Sequence, residues 1–317
     1  MEIGLQAIGS IWRTPEEPAD IGFRRIKEAG FDTVDFNFEM FEEFDNFFDP
    51  EAEGLYQKDI EGLKKYFLPY KEACAKEGLK FSQGHAPFGK LPNEKEGIEG
   101  AQYKHFLSIQ KKVIEIAGWM GIPYLVVHPW ITRKRQGLKA EWELNMLYYK
   151  ELAPVAKAAG VVLCLENMFD TVAGKLWEGP CSDPDEVNAY LDALEAYGDF
   201  AFCLDVGHIN LFGRDMEDFI RKVGKRIKIL HLHENDGFHD LHNMPFTFPR
   251  AWGSPTVQDW EGIINGLRAI GYDGVLNFET GPVMYSVPEE LNHAARLFIH
   301  AVGEYLSKRI TYSDASQ

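Results

Sequence analysis

An amphipathic run, a glycine, and a short apolar run rich in Val, Ile, Leu and Phe recur in that order along the chain. The glycine suits the left-handed cap that ends a helix, and the apolar run suits the strand that follows. The pattern occurs at EAG-FDTVDF (Gly30), KEG-LKFSQGH (Gly78), WMG-IPYLVVH (Gly121), AAG-VVLCLE (Gly160), AYG-DFAFCLD (Gly198), KVG-KRIKILHLH (Gly224) and AIG-YDGVLNFE (Gly271). With the opening IGLQAI, it predicts eight strands. Runs such as VVLCL and YLVV are apolar without alternation, as in strands covered on both faces.

Strands alternating with helices predict a parallel sheet, and eight such units predict a closed ring. The expected fold is α/β: a single (β/α)8 TIM barrel domain over residues 1–317, with no linker to divide it. The longest connections follow strand 2 (about 42–58) and strand 7 (about 235–258). In this architecture such loops rise over the active face.

Composition narrows the partners. The 317 residues are 45% hydrophobic and 26% charged, with 49 acidic against 33 basic side chains, a net charge of −16 and a pI near 5.1. That charge repels polyanions, so nucleic acid is a disfavoured partner. Cys74, Cys164, Cys181 and Cys203 form no CxxC pair, which suits a reduced, cytoplasmic setting. The opening MEIGLQAIGSIW lacks a basic start with an apolar run behind it, and no stretch approaches the ~18 apolar residues of a membrane span. Neither secretion nor membrane insertion is expected. Nothing in the sequence sets the oligomeric state, and a homo-oligomer is compatible with it.

Candidate chemistry sits where the apolar runs stop. Six strands end in a residue able to bind metal: His85, His128, Glu166, Asp205, His233 and Glu279. Alternation puts Glu166 on one face with Cys164 and Val162, and Asp205 with Cys203 and Ala201. His231 shares a face with His233 but lies one layer deeper, so it is read as a structural, hydrogen-bonded histidine. Two glutamates, one aspartate and one histidine make a mixed oxygen and nitrogen ligand field. It suits Mn2+, Zn2+, Co2+ or Mg2+ without choosing among them. Neither a GxxxxGK[ST] phosphate loop nor an HExxH helix competes with it.

Together, LEN (Glu166), CLDVGH (Asp205), HEND (His233) and NFET (Glu279) resemble the xylose isomerase-like TIM-barrel superfamily, over nearly the whole chain. That superfamily includes sugar epimerases, inositol-pathway isomerases and dehydratases, and AP endonucleases of family 2. The resemblance to its ketose 3-epimerase branch implies that Glu166, Asp205, His233 and Glu279 hold one metal. It further implies that Glu166 and Glu279 are the acid and base, and that His208 contacts substrate. His85 in GHAPFG, His128 in VVHPW, His208, and Asp240 with His242 in DLH resemble the further ligands of the three-zinc endonuclease site. Here they are expected to bind substrate or a second metal.

Against the nuclease reading stand the acidic balance and a single dense basic run, Arg133 to Arg135. The epimerase pattern is not matched throughout either, because no arginine follows His233 until Arg250.

The reading that results is a divalent-metal-dependent isomerase or epimerase of a sugar or cyclitol. It would remove a proton next to a carbonyl and pass through a metal-bound enediolate. The same intermediate can expel a β-hydroxyl, so a dehydratase or lyase on a keto-sugar or inosose remains the alternative, with an AP-endonuclease-like phosphodiesterase behind it. No Gly-rich phosphate cradle follows strand 8, whose loop reads GPVMYSVP, and this favours free over phosphorylated sugars. Trp12, Trp130 and Trp252 follow strand ends and are candidates for the substrate wall, with Phe38 and Phe88 nearby and Phe36 read as core.

Overall fold

A computed structural model of the chain describes residues 1–11, 17–89, 97–248 and 258–312. Among the described residues ten strands occur in chain order. They are β1 (Ile3–Gln6), β2 (Thr33–Asn37), β3 (Lys80–His85), β4 (Tyr124–Val126), β5 (Val162–Glu166), β6 (Phe169–Val172), β7 (Lys175–Glu178), β8 (Phe200–Asp205), β9 (Ile227–His231) and β10 (Leu276–Phe278). Eight lie in one parallel sheet in the order β10-β1-β2-β3-β4-β5-β8-β9. A parallel bridge between Leu232 and Phe278 joins the two ends, so the sheet closes into a TIM barrel. The strands expected as sixth, seventh and eighth are β8, β9 and β10.

Several helix ends follow the glycine logic of the sequence, although the helix Pro184–Leu194 ends before Gly198, which has no positive φ. The helices Ala101–Met120 and Leu138–Ala159 stop at Gly121 and Gly160, whose φ of 87° and 69° are left-handed. A side chain with a Cβ would be strained there. At the other end, Asp59 accepts a hydrogen bond from the Gly62 amide (2.8 Å) to start the helix Ile60–Lys76, and Asp259 does the same for Gly262 (2.9 Å) and the helix Trp260–Ile270.

Two cores result. The larger fills the space between barrel and helices and contains Phe23, Phe36, Phe67, Leu163, Phe202 and Leu230. Burial of each such side chain contributes about 1.5–3 kcal/mol. The smaller lies inside the barrel and consists of Val126, Cys164, Ala201, Cys203 and Ile229. It confirms the alternation read for Glu166 and Asp205, since Cys164 and Cys203 point inward beneath them. Above this layer the interior turns polar. Thr33, Asp35, Gln83, His231 and Asn277 are fully buried.

Three loops depart from simple crossovers. The long connection after β2 carries short 3-10 turns at Phe38–Phe41, Phe44–Phe47 and Leu55–Gln57. The one after β9 turns back through a bridge between Glu234 and Asn243. The sequence reading missed the third, the β6–β7 hairpin after β5. Its alternation in FDTVAGKLWE is too short to separate from loop, and the Ala173-Gly174 turn has positive φ at both residues. All four cysteines are buried and unpaired, and among the described residues no helix is long and apolar enough to cross a membrane.

Candidate functional site

The strand-end residues converge on the C-terminal mouth of the barrel. A cavity of about 840 Å³ opens there, lined by His85, His128, Glu166, His208, Asp240, His242 and Glu279 among others. Asp205 and His233 lie immediately beneath and are fully buried.

Asp205 ends β8 and also caps the turn Val206–Asn210, accepting a hydrogen bond from the His208 amide at 2.7 Å. This places His208 over the mouth. Its Nδ1 lies 2.7 Å from the Asn167 carbonyl oxygen and its Nε2 lies 3.4 Å from Asp240. Asn167, next to Glu166, exchanges two hydrogen bonds with the Asp205 backbone and so locks β5 to β8. His233 packs over Gly207, where an added Cβ would lie 2.0 Å from its ring. Only glycine lets the imidazole approach Asp205, whose two oxygens are each 3.1 Å from Nε2.

His231 holds a more central position than its depth suggests. Its Nδ1 lies 3.1 Å from Glu279, 3.3 Å from Glu166 and 3.9 Å from Asp205. It thus stands between three of the four expected ligands, and its Nε2 points to Asp35 at 3.6 Å. Gln6 at the end of β1 donates to the other Glu279 oxygen at 2.9 Å.

A second group lies on the opposite side. His85 and His128 bring their Nε2 atoms to 3.0 Å, and His128 Nε2 is 2.9 Å from Glu166 Oε2. A third group joins His208, Asp240 and His242, with His242 Nε2 at 3.0 Å from Asp240. His242 links back to Glu279, whose Oε2 is 3.4 Å from its Nδ1.

Burial and charge decide the protonation. Desolvation pushes Glu166 up, but the adjacent His231 and His128 outweigh it and hold the carboxyl well below its usual range. Burial prevails at Glu279, where Asp205 and Glu166 add to it against His231 and His242, so that carboxyl is raised. His242 is resisted by burial yet reaches about 9, because Glu279 and Asp240 face it.

The residues fit a divalent cation. Asp205, Asp240, Glu166 and Glu279 pair only with histidines, and among the described residues no Lys or Arg neutralises them. Buried carboxylates without such partners call for another positive charge. Glu166 Oε2 and Asp240 Oδ1 are also buried without a hydrogen-bond partner among the described residues, although His128 Nε2 stands close to the former. The donors are oxygen and imidazole nitrogen, as Mn2+ and Zn2+ prefer.

Of the expected wall residues, Trp130 is corrected. It is only 3% exposed and packs against Phe106 and Tyr148 behind the barrel, because its backbone is clasped by Asn145 and its ring turns to the helices. Phe38 is core likewise. Trp12, Trp252 and Arg250 lie outside the described residues. Phe88 does line the cavity, joined by Phe44, Phe48, Met168 and Phe169, which the sequence reading did not select.

Glu234, beside His233, steadies the loop that carries Asp240 and His242. Its carboxylate accepts from the Thr247 amide at 2.9 Å, and burial pushes its pKa up from 4.5 to about 7. The folded protein therefore binds a proton that the unfolded chain has released, and stability falls as pH rises from about 4.5 to 7. Glu234→Gln is expected to remove that dependence. Melting temperatures of variant and wild type should diverge across this window in favour of the variant, and parallel curves would count against the assignment.

Comparison with known proteins bears on the family and the fold. Residues 23–298 match the profile of the family described as Xylose isomerase-like TIM barrel. An inosose isomerase of Halalkalibacterium halodurans is 26% identical over 221 residues, covering 67% of this chain and 71% of its own. A D-psicose 3-epimerase of Enterocloster bolteae is 26% identical over 231 residues, covering 70% and 68%. The crystal structure of the IOLI protein with a bound zinc atom superposes with a TM-score of 0.68 at 16% identity, over 99% of this chain and 100% of that one. The buried His, Glu and Asp groups are able to hold a metal, and with its closed eight-stranded ring and its match over residues 23–298 the chain belongs to the xylose isomerase-like TIM-barrel family.

Proposed function

We propose that the protein is a divalent-metal-dependent isomerase or epimerase of a keto-sugar or cyclitol, working by proton transfer next to a carbonyl. The observation that carries this reading is the pair Glu166 and Glu279. They come from strands on different sides of the mouth, both border the cavity, and both reach His231 Nδ1, at 3.3 and 3.1 Å. Two carboxylates facing one space can remove a proton and return it to another position or face. The distant kinship with an inosose isomerase and a D-psicose 3-epimerase supports the same class.

A bound Mn2+ or Zn2+ would polarise the carbonyl and acidify the neighbouring C–H. Glu166, Asp205, His233 and Glu279 would hold it. The remaining work falls to the chain itself. Gln6 fixes one Glu279 oxygen and leaves the other directed at the cavity side, where His231 and His242 approach it. His208 and His242, both set by Asp240, stand where substrate hydroxyls would be held. His85 and His128 offer a further donor pair to substrate oxygens or a second ion.

Incubation with Mn2+ in D2O against ketoses, inosose and 3-keto-glycosides tests the reading by proton NMR. Loss of one C–H signal with a particular substrate is expected. Bound metal without exchange on any compound would overturn the mechanism and direct the search to phosphodiesters.

A further inference from the structure

The cavity is larger and more apolar than proton transfer on one sugar ring requires. Its 840 Å³ stand near the upper end of the roughly 300–1,000 Å³ usual for small-molecule sites, and a single hexose ring fills only a fraction of that. The lining also divides by chemistry. The histidines and the carboxylates Glu166 and Glu279 belong to the strand ends or the segments after β8 and β9, whereas the loops after β2, β3, β4 and β5 contribute Phe44, Phe48, Phe88, Ile131, Met168 and Phe169 beside Asp45, Asp49 and Asp170.

Phe88, Phe44 and Phe48 form a row that starts at the reactive groups. Phe88 lies 4.7 Å from the His128 ring at a 32° tilt. Phe44 follows at 6.2 Å from Phe88, and Phe48 at 6.0 Å from Phe44. On the other side Phe169 meets the His208 ring at 4.9 Å. Phe44 is 49% exposed although it sits against this wall. Exposed aromatic surface bordering a pocket of convergent polar groups marks a place where an apolar ligand is covered. Of the polar lining residues of these loops, Asp45, Asp49 and Thr171 are themselves open to solvent, whereas Asp170 is buried. None of the described lining residues is Lys or Arg.

We propose that the outer half of the cavity is a subsite for a planar apolar group carried on the sugar, which makes the substrate class aryl keto-glycosides rather than free monosaccharides. The proposal rests on the keto-sugar reading above, but binding tests it without turnover. The aromatic wall would cover the aryl group while the sugar ring faces the carboxylates. Aliphatic Ile131 and Met168 add contact area that a hydroxyl-bearing ring would leave unmatched.

Titration calorimetry with methyl and phenyl 3-keto-β-D-glucopyranoside decides it. The phenyl compound is expected to bind about tenfold more tightly. Phe44→Ala and Ile131→Asn, both at partly exposed positions, should each narrow that gap to about threefold or less and leave methyl binding unchanged. Equal binding by the wild type, no binding of either compound, or an undiminished gap in both variants would overturn the subsite. A phenyl preference without C–H exchange in D2O would leave the subsite standing and remove the catalytic reading. Exchange on both compounds without a gap in affinity would do the reverse.

Discussion

Glu279→Gln is expected to lower substrate C–H exchange by about a thousandfold, within the range that positioned acid–base groups contribute. The variant should keep the fold and most of its affinity for substrate. Gln6 donates to Glu279 Oε1 at 2.9 Å, and glutamine keeps the carbonyl oxygen that accepts this bond. What is lost is the ability of the second oxygen, 3.1 Å from His231 and 3.4 Å from His242, to take or give a proton, and Mn2+ titration of the variant separates that loss from a weakened metal site. Exchange in D2O followed by NMR reads that step directly, and calorimetric titration with substrate checks that binding survives.

Glu166→Gln is the companion. An equal fall at both positions supports transfer between two carboxylates on different sides of the substrate. A fall at one alone means that a single carboxylate moves the proton out and back. Exchange within tenfold of wild type in both variants would withdraw the acid–base role from the pair.

The strand-end residues of the candidate site were legible because each interrupts an apolar run. Glu166 ends VVLCLE and Asp205 ends FAFCLD, and a charged residue there has no reason to be buried except chemistry. The barrel was legible for a related reason, since the glycine caps recur between helix and strand. His231 shows the limit. Alternation gave its face and depth, but its contact with Glu166 and Glu279 arises from strands 65 and 48 residues away in sequence, and no local pattern encodes that.

Asp35 was missed although a signal existed. TVDFN alternates Thr33, Asp35 and Asn37 with Val34 and Phe36 in a strand that must be buried on both faces, so polar residues had to point into the barrel. The cavity wall was hidden for another reason. Phe44, Phe88 and Phe169 are aromatic residues in loops, and composition does not separate a ring that faces a pocket from Trp130, which faces helices.

Asp35→Asn should be the most damaging single-atom change in the barrel interior. Asp35 is completely buried, and its Oδ2 accepts from Gln83 at 3.1 Å and Asn277 at 3.0 Å. The same oxygen stands 3.6 Å from His231 Nε2, an ion-pair separation too long for a hydrogen bond. Asp35 is therefore the anionic end of a buried row that runs through His231 to Glu166 and Glu279.

An amide in its place removes the counter-charge; its oxygen can keep both bonds at the Oδ2 position, but its NH2 takes the place of Oδ1, which has no hydrogen-bond partner among the described residues, and is buried there as an unpaired donor. Breaking one member of a buried charge pair costs about 3–5 kcal/mol, and losing a partner behind a metal site costs about 10–100-fold in metal affinity. Asp35→Asn is expected to lower the unfolding free energy by about 3 kcal/mol and to weaken Mn2+ binding by about tenfold. Denaturant titration and calorimetry measure the two separately. His231→Gln should weaken Mn2+ binding similarly, and the double variant should be no weaker than either single one, because both act through one row. Additive losses would show that Asp35 supports only the barrel, and unchanged Mn2+ affinity in Asp35→Asn would separate it from the site altogether.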